Sequence, residues 1–141
     1  MPSFLHFSPR PWNKTSTNRK SRFRHESTLY AINSTIQDNG NDGLRAIDNS
    51  VLRLEGNTIT GSGGDGILVF YSSVAFLQFG NIVTNNGGAG VRIRDLSMGG
   101  FGGEDVTGNL GGTDVVCEPQ FAATRGALTN INGGTTNCVE P

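Results

Sequence analysis

Apolar and polar residues alternate in short runs along the middle of the chain, and the runs recur at a nearly constant interval. Runs that begin at Leu44, Ile67 and Val91 alternate with a period of two, and their starts are 23 and 24 residues apart. A period of two is typical of a half-buried β-strand, whereas a helix would show a period near 3.6. A glycine precedes each run: Gly43, Gly66 and Gly90. When the three copies are aligned, several positions carry the same type of residue in every copy, and we call each such position a column. Columns that repeat together over three copies indicate a repeat architecture.

Each copy holds two further short runs that fit the same scheme. Residues 51–54 and 74–77 predict a second strand, and runs that end at Ile36, Ile59 and Val83 predict a third. Glycine, asparagine, aspartate and serine separate the runs, as in turns. A serine column repeats with them: Ser50, Ser73 and Ser97. The sequence therefore predicts an all-β parallel β-helix of about three to four coils of 23–24 residues, with equivalent strands stacked about 4.8 Å apart.

The repeat divides the chain into three regions. Residues 1–31 lack a strand or helix period and are predicted to be an irregular segment outside the fold, residues 32–115 to form the coils, and residues 116–141 to form a C-terminal cap. Residues 98–103 are predicted to be a flexible glycine-rich insertion before a partial fourth copy at 109–115. An uncovered first coil exposes strand edges, so association through the N-terminal coil is expected.

The leucine-rich repeat is an alternative, because its period overlaps this one. Residues 52–59, LRLEGNTI, match its L-x-L-x-x-N-x-L core. In the next copy Leu77, Phe79 and Asn81 are out of step, and the rest of each repeat contains no helix-forming stretch. The β-helix therefore accounts for more of the pattern.

Charge is unevenly distributed along the chain. Residues 1–31 carry six lysines and arginines against Glu26, whereas the remaining residues carry five arginines and eleven carboxylates. The basic segment has no secondary-structure period, so no nucleic-acid partner is predicted. No apolar run is long enough to span a membrane, and the first residues lack the apolar core of a secretion signal. The chain is thus expected either to be cytosolic or to be a truncated gene product that lacks its natural start.

The Asn-x-Ile, Asp-Gly-Ile-x-Val and Ser-x-Val-x-Leu columns resemble the right-handed parallel β-helix family that includes pectate lyases and polygalacturonases, over residues 32–115. The tail DVVCEPQFAATRGALTNINGGTTNCVEP resembles the C-terminal tail of bacterial secreted β-helix proteins of unassigned function. The resemblance implies right-handed coils, an extracellular or cell-surface location, and a polysaccharide or cell-surface glycan as partner. With the export that the family implies, the two cysteines, Cys117 and Cys138, favour a disulfide.

Asp42 and Asp65 are the candidate catalytic carboxylates. Both precede a strand-opening glycine, so they are predicted to stack roughly 5 Å apart, where paired carboxylates can act as acid and nucleophile. Arg92-Ile93-Arg94 resembles the arginine-isoleucine-lysine motif of polygalacturonases, with Arg94 in place of lysine. The other motifs of that family are absent, and residues 32–141 contain no histidine. The alternative is turn chemistry, with the aspartate capping backbone N–H groups and the glycine adopting a positive φ.

Three outward arginines and a tyrosine form a candidate binding surface: Arg45, Arg92, Arg94 and Tyr71. Such a surface can hold an acidic sugar by bidentate pairing and stacking, although a solvated face has the same composition. Asp42 and Asp65 are also a candidate Ca²⁺ site, and no other cofactor is predicted. Asn57 and Asn81 are predicted to form an amide ladder inside a turn.

These features favour a non-catalytic extracellular module with a structural or polysaccharide-binding surface. The alternative is a fragment of a carbohydrate-active enzyme, a polysaccharide lyase or a glycoside hydrolase. No residue is assigned as catalytic, because the motif set of such an enzyme is incomplete.

Overall fold

The computed structural model describes residues 26–118 and 131–139, together with the backbone of residues 4–6, 22–23 and 124–125. Within these ranges the chain forms strands and turns and no helix. The strands are β1 (Phe4–His6), β2 (Arg22–Phe23), β3 (Thr28–Ile32), β4 (Thr35–Gln37), β5 (Leu44–Ala46), β6 (Val51–Glu55), β7 (Thr58–Thr60), β8 (Ile67–Val69), β9 (Val74–Gln78), β10 (Ile82–Thr84), β11 (Val91–Arg94), β12 (Met98–Gly102), β13 (Asp105–Val106), β14 (Val115–Glu118) and β15 (Thr124–Arg125).

The strands form three parallel sheets, and each complete coil adds one strand to each sheet. Sheet A has the order β1-β3-β6-β9-β12-β15, sheet B has β14-β11-β8-β5-β2, and sheet C has β13-β10-β7-β4. Leu44, Ile67, Val91 and Val115 are direct partners in sheet B, 23 or 24 residues apart along the chain. The predicted all-β solenoid and its coil length are therefore confirmed.

The core lies between the three sheets and consists of stacked aliphatic side chains. Leu54 and Leu77 of sheet A, Ile59 of sheet C, and Ile67 and Ile93 of sheet B are completely buried. Full burial of such a side chain contributes about 1.5–3 kcal/mol. Each coil covers the apolar side chains of its neighbours, so the coils stabilise one another rather than folding separately.

The turn interpretation expected the glycines that follow Asp42 and Asp65 to adopt positive φ angles, and this part of it is wrong. Gly43 and Gly66 do not have a positive φ, and neither does Gly90 at the same position of the next coil. A Cβ on Gly43 would lie 2.6 Å from the carbonyl oxygen of Gly66, and a Cβ on Gly66 would lie 2.6 Å from that of Gly90. The column requires glycine because the backbones of successive coils approach too closely for a side chain.

The predicted flexible insertion at residues 98–103 is also wrong. Residues 98–102 form β12, which pairs with β9 along its whole length. Parallel pairing uses backbone groups only, so glycines can take part in it. A Cβ on Gly99 would lie 2.3 Å from Cδ1 of Ile93, so this glycine leaves room for a core side chain.

The predicted region boundaries fall inside strands. The boundary between residues 31 and 32 divides β3, which pairs with β6 along its whole length, so residues 28–31 belong to the coils. Strands β1 and β2 pair with β3 and β5, which corrects the prediction that residues 1–31 lie outside the fold. The remainder of the basic segment lies outside the described residues. The second boundary, between residues 115 and 116, divides β14.

Candidate functional site

Asp42 and Asp65 occupy neighbouring coils, and their carboxylates bind the backbone of the next coil. Asp42 Oδ1 accepts a hydrogen bond from the Asp65 N–H at 2.8 Å, and Asp65 Oδ1 accepts one from the Ala89 N–H at 2.8 Å. The Oδ2 atoms pair with Nε of Arg45 at 2.6 Å and Nε of Arg92 at 2.7 Å. All four carboxylate oxygens are therefore engaged inside the protein, which favours the turn interpretation over the catalytic one.

Arg92 bridges two coils through carboxylates. Its guanidinium group binds Asp65 and also pairs with Glu118. The hydrogen bond to Asp65 raises the pKa of Arg92 above its ordinary value, burial opposes this effect, and the negative charges of Asp65 and Glu118 add to it. The guanidinium is thus committed to internal partners.

Three of the four predicted binding residues meet at the side chain of Phe70, the residue before Tyr71. The guanidinium carbons of Arg45 and Arg94 lie 6.0 Å and 5.1 Å from the centre of the Phe70 ring, within the range of cation–π attraction. The Tyr71 ring centre lies 4.7 Å from that of Phe70. Phe70 is buried with Leu68 in a small outer apolar cluster. Arg45, Arg94 and Tyr71 therefore belong to one surface, and Arg92 lies in a separate ion-pair network.

Beside this surface, the turns that connect sheet B to sheet A form an open groove. It has a volume of 610 Å³ and is lined by two residues from each of three successive turns: Asp48, Asn49, Tyr71, Ser72, Asp95 and Leu96. We call these six residues the corner groove. The Asn49 N–H donates to the Tyr71 carbonyl and the Ser72 N–H to the Asp95 carbonyl, both at 3.0 Å, so the turns are stacked in register.

The backbone of the corner groove is left-handed at every lining residue, with φ between 53° and 61°. Asparagine and aspartate tolerate this conformation, whereas it strains a bulky side chain. Tyr71 and Leu96 adopt it nevertheless, and their side chains are 54% and 88% exposed. Sequence reasoning identified Tyr71 but missed the rest of the groove. The serine column was the available signal, because each pair of groove residues directly precedes Ser50, Ser73 or Ser97.

Asn57 and Asn81 lie in one buried ladder that crosses the coils. Asn81 Oδ1 accepts hydrogen bonds from the N–H and the Nδ2 of Asn57, at 2.9 and 3.0 Å. Asn57 Oδ1 accepts one from the Ser34 N–H, and Oε2 of Glu104 accepts one from Asn81 Nδ2. The sequence pattern missed Glu104, whose completely buried carboxylate ends the ladder.

A second ladder, which sequence reasoning did not find, ends in the same way. Asn86 Nδ2 donates to Asn109 Oδ1 at 2.9 Å, and Asn109 Nδ2 donates to Asp114 Oδ1 at 3.0 Å. The N–H and the hydroxyl of Thr135 donate to Asp114 Oδ2. Burial acts to raise the pKa of Asp114, but the hydrogen bonds from Thr135 and Asn109 outweigh it and hold the pKa below its ordinary value.

The lowered pKa of Asp114 predicts that acid weakens the C-terminal end of the solenoid. Because the folded-state pKa lies below the unfolded one, the stabilisation is complete above the unfolded value and disappears as the pH falls through the folded value. Urea unfolding at neutral and acidic pH measures this loss of stability.

Asp114→Asn should lower the free energy of unfolding by about 2 kcal/mol at neutral pH and make it depend less on acid. Asp105→Asn is the control, since the Asp105 carboxylate accepts from the Thr107 hydroxyl on the same segment; an equal effect of both variants would contradict the prediction.

The predicted disulfide between Cys117 and Cys138 is confirmed. Both cysteines are buried, and the bond joins β14 to the C-terminal segment. The backbone N–H of Cys117 also donates to Asn137 Oδ1 at 2.8 Å, so the segment is held at two adjacent points.

Two further features of the described residues bear on ligands and location. No group of three or more histidine, cysteine, aspartate or glutamate side chains comes together there to hold a metal ion. The Ca²⁺ site at Asp42 and Asp65 stays a prediction. Within the same part of the chain, no helix is long and apolar enough to cross a membrane.

Comparison with known proteins identifies one family. The model of the family described as the right-handed β-helix region matches residues 20–135. No curated protein and no solved structure matches the chain.

Proposed function

The chain belongs to the right-handed β-helix family, and on that premise we propose that it is a non-catalytic extracellular module that binds a glycan chain in the corner groove. The observation that carries the proposal is the exposure of Tyr71 and Leu96 on a strained backbone in the groove. A fold alone does not specify a function, so the argument depends on the groove.

The side chains of Tyr71 and Leu96 add little stability to the fold, although their left-handed backbone conformation is strained. A left-handed conformation costs a residue other than glycine, asparagine or aspartate about 1–2 kcal/mol. Burial of the side chains would offset that cost, but both are mostly exposed. Strained residues of this kind are concentrated at ligand sites. A bound chain that covers the two side chains supplies the missing apolar contact.

The chemistry of the corner groove matches the surface of a sugar. The Tyr71 ring offers an apolar face for stacking and a hydroxyl for hydrogen bonding. Asn49, Ser72 and the carboxylates of Asp48 and Asp95 offer donors and acceptors around it. An apolar surface with a few convergent polar groups is typical of small-molecule and glycan sites.

Two observations support the other two parts of the proposal, namely the non-catalytic role and the extracellular location. A carbohydrate-active enzyme needs a carboxylate that can exchange a proton with its substrate, whereas every oxygen of Asp42 and Asp65 already has an internal partner. A disulfide is typical of proteins in oxidising, extracellular compartments. The first observation favours a binding module over an enzyme fragment, and the second favours a location outside the cell.

The test replaces Tyr71 by asparagine and measures binding to soluble glycans by titration calorimetry. The panel contains a neutral β-glucan oligosaccharide, an oligogalacturonate and a chitosan oligosaccharide. Tyr71→Asn removes the ring and relieves the backbone strain, so we expect binding to weaken on the order of tenfold, about 1.4 kcal/mol, while the melting temperature stays equal or rises.

Phe79→Asn is a matched control for this experiment. Phe79 is likewise left-handed and 74% exposed, but it lies at the other end of β9 and outside the corner groove. The same substitution there should raise stability by a similar amount and leave glycan binding unchanged. Glycan binding that is equally weakened by both variants, or absent in the unmodified protein, would overturn the proposed function.

A further inference from the structure

The two charged side chains that line the corner groove, Asp48 and Asp95, are both acidic. Asp48 and Asp95 lie on the two sides of Tyr71, one coil away from it in each direction. Asp95 has Arg94 Nε at 3.5 Å as an ion-pair partner. Asp48 has no ion pair in the part of the chain that the structure describes. The groove thus contains one carboxylate without a cation.

Among the side chains that the structure describes, the arginines near the groove already have partners inside the protein. Arg45 pairs with Asp42, and Arg92 pairs with Asp65 and Glu118. Arg94 stacks on Phe70, and Arg53, on sheet A, stacks on Phe76 with its guanidinium carbon 5.2 Å from the ring centre. A uronate in the groove would therefore meet the carboxylates of Asp48 and Asp95, and it would find no arginine without an internal partner among the described side chains. This differs from the acidic-sugar surface that the sequence predicted for Arg45, Arg92 and Arg94.

Asp48 and Tyr71 together form the environment that a protonated amine prefers. The two residues occupy the same position of adjacent coils, and stacked coils are about 4.8 Å apart. An ammonium group at this point contacts the carboxylate through a charge-assisted hydrogen bond. It also lies against the negative face of the tyrosine ring.

We propose that the corner groove selects glycans that carry protonated amino groups, with the ammonium group held between Asp48 and the Tyr71 ring. This inference rests on the proposed function and specifies its ligand class. An N-acetylated sugar lacks the positive charge and therefore the charge-assisted contact with Asp48, and a uronate is repelled by the carboxylates. The acidic balance of residues 32–141, with five arginines against eleven carboxylates, attracts the same class of ligand from a distance.

The test compares a chitosan oligosaccharide with its fully N-acetylated form of the same length by titration calorimetry. A mildly acidic buffer keeps the amino groups of the chitosan oligosaccharide protonated. We expect the amine form to bind on the order of tenfold more tightly than the acetylated form. Asp48→Asn should remove this preference and leave the acetylated form unaffected. Asparagine tolerates the left-handed backbone at position 48, so the variant should fold.

Asp105→Asn is the charge-matched control, because Asp105 lies in sheet C away from the groove. The amine preference should survive this substitution. Equal affinity for the amine and acetylated forms overturns the inference but leaves the proposed function standing, whereas binding of neither form and of no other glycan overturns both. Polylysine that binds as tightly as chitosan, with the same dependence on Asp48, shows that charge alone is recognised and overturns the selection of a sugar.

Discussion

Replacement of Asn81 by alanine should lower the free energy of unfolding by about 3–4 kcal/mol, because several buried hydrogen bonds disappear together. The Nδ2 of Asn81 donates to the carbonyl oxygens of Leu54 and Gln78, each at 2.9 Å, and to Glu104 at 2.8 Å. Its Oδ1 accepts from the Asn57 N–H at 2.9 Å. Alanine removes the partner of each of these groups, and the groups of Leu54, Glu104 and Asn57 stay buried. Urea unfolding followed by circular dichroism measures the loss.

The control for Asn81→Ala is Gln78→Ala, which removes an exposed side-chain amide three residues earlier. The main-chain carbonyl of Gln78 that accepts from Asn81 stays in place, so this variant should change stability by less than about 0.5 kcal/mol. If Asn81→Ala lost no more stability than Gln78→Ala, the ladder would not stabilise the fold as we infer.

Loss of the disulfide is the second large effect. The double variant Cys117→Ala/Cys138→Ala should lower the free energy of unfolding by about 3 kcal/mol in the chain-entropy model. The bond closes a loop with a sequence separation of 21 residues and holds the C-terminal segment against β14. The expected result is a urea midpoint below that of the unmodified protein under oxidising conditions.

A reducing agent separates the disulfide from other effects of these substitutions. Reduction should lower the urea midpoint of the unmodified protein and leave that of the double variant unchanged. A reductant that shifts neither protein, with thiol titration showing that the bond has been reduced, would contradict the prediction.

The features that could be read from the sequence are those carried by many residues at once. The columns of Ile59, Ile67 and their equivalents recur because a stacked coil buries the same face each time. The amide ladder at Asn57 and Asn81 could be located because asparagine repeats in register with the strands. The alternation of apolar and polar residues is lost where glycine takes the place of larger residues, as at Gly99 and Gly100. The sequence therefore predicts a flexible insertion where the structure has β12.

The candidate site was less accessible from the sequence. A pattern shows which residues share a column, but it does not show which partners their side chains choose. Arg92 and Arg94 occupy the same strand, yet one is bound by Asp65 and Glu118 and the other stacks on Phe70. Whether the charge of such a residue is available to a ligand depends on its partners inside the protein, and the sequence does not identify those partners.

The order of apolar and polar residues is sufficient to specify a three-sided solenoid of parallel strands, the residues that fill it and the length of its coils, because these follow from a repeated period of two. Only the tertiary structure decides which polar groups remain available at its surface. The carboxylates of Asp42 and Asp65 are bound to partners inside the protein, whereas Asp48 and Tyr71 line a groove. The physical reason is that hydrogen bonds and ion pairs depend on distances of a few ångströms between residues about 24 positions apart, and a sequence column does not define those distances.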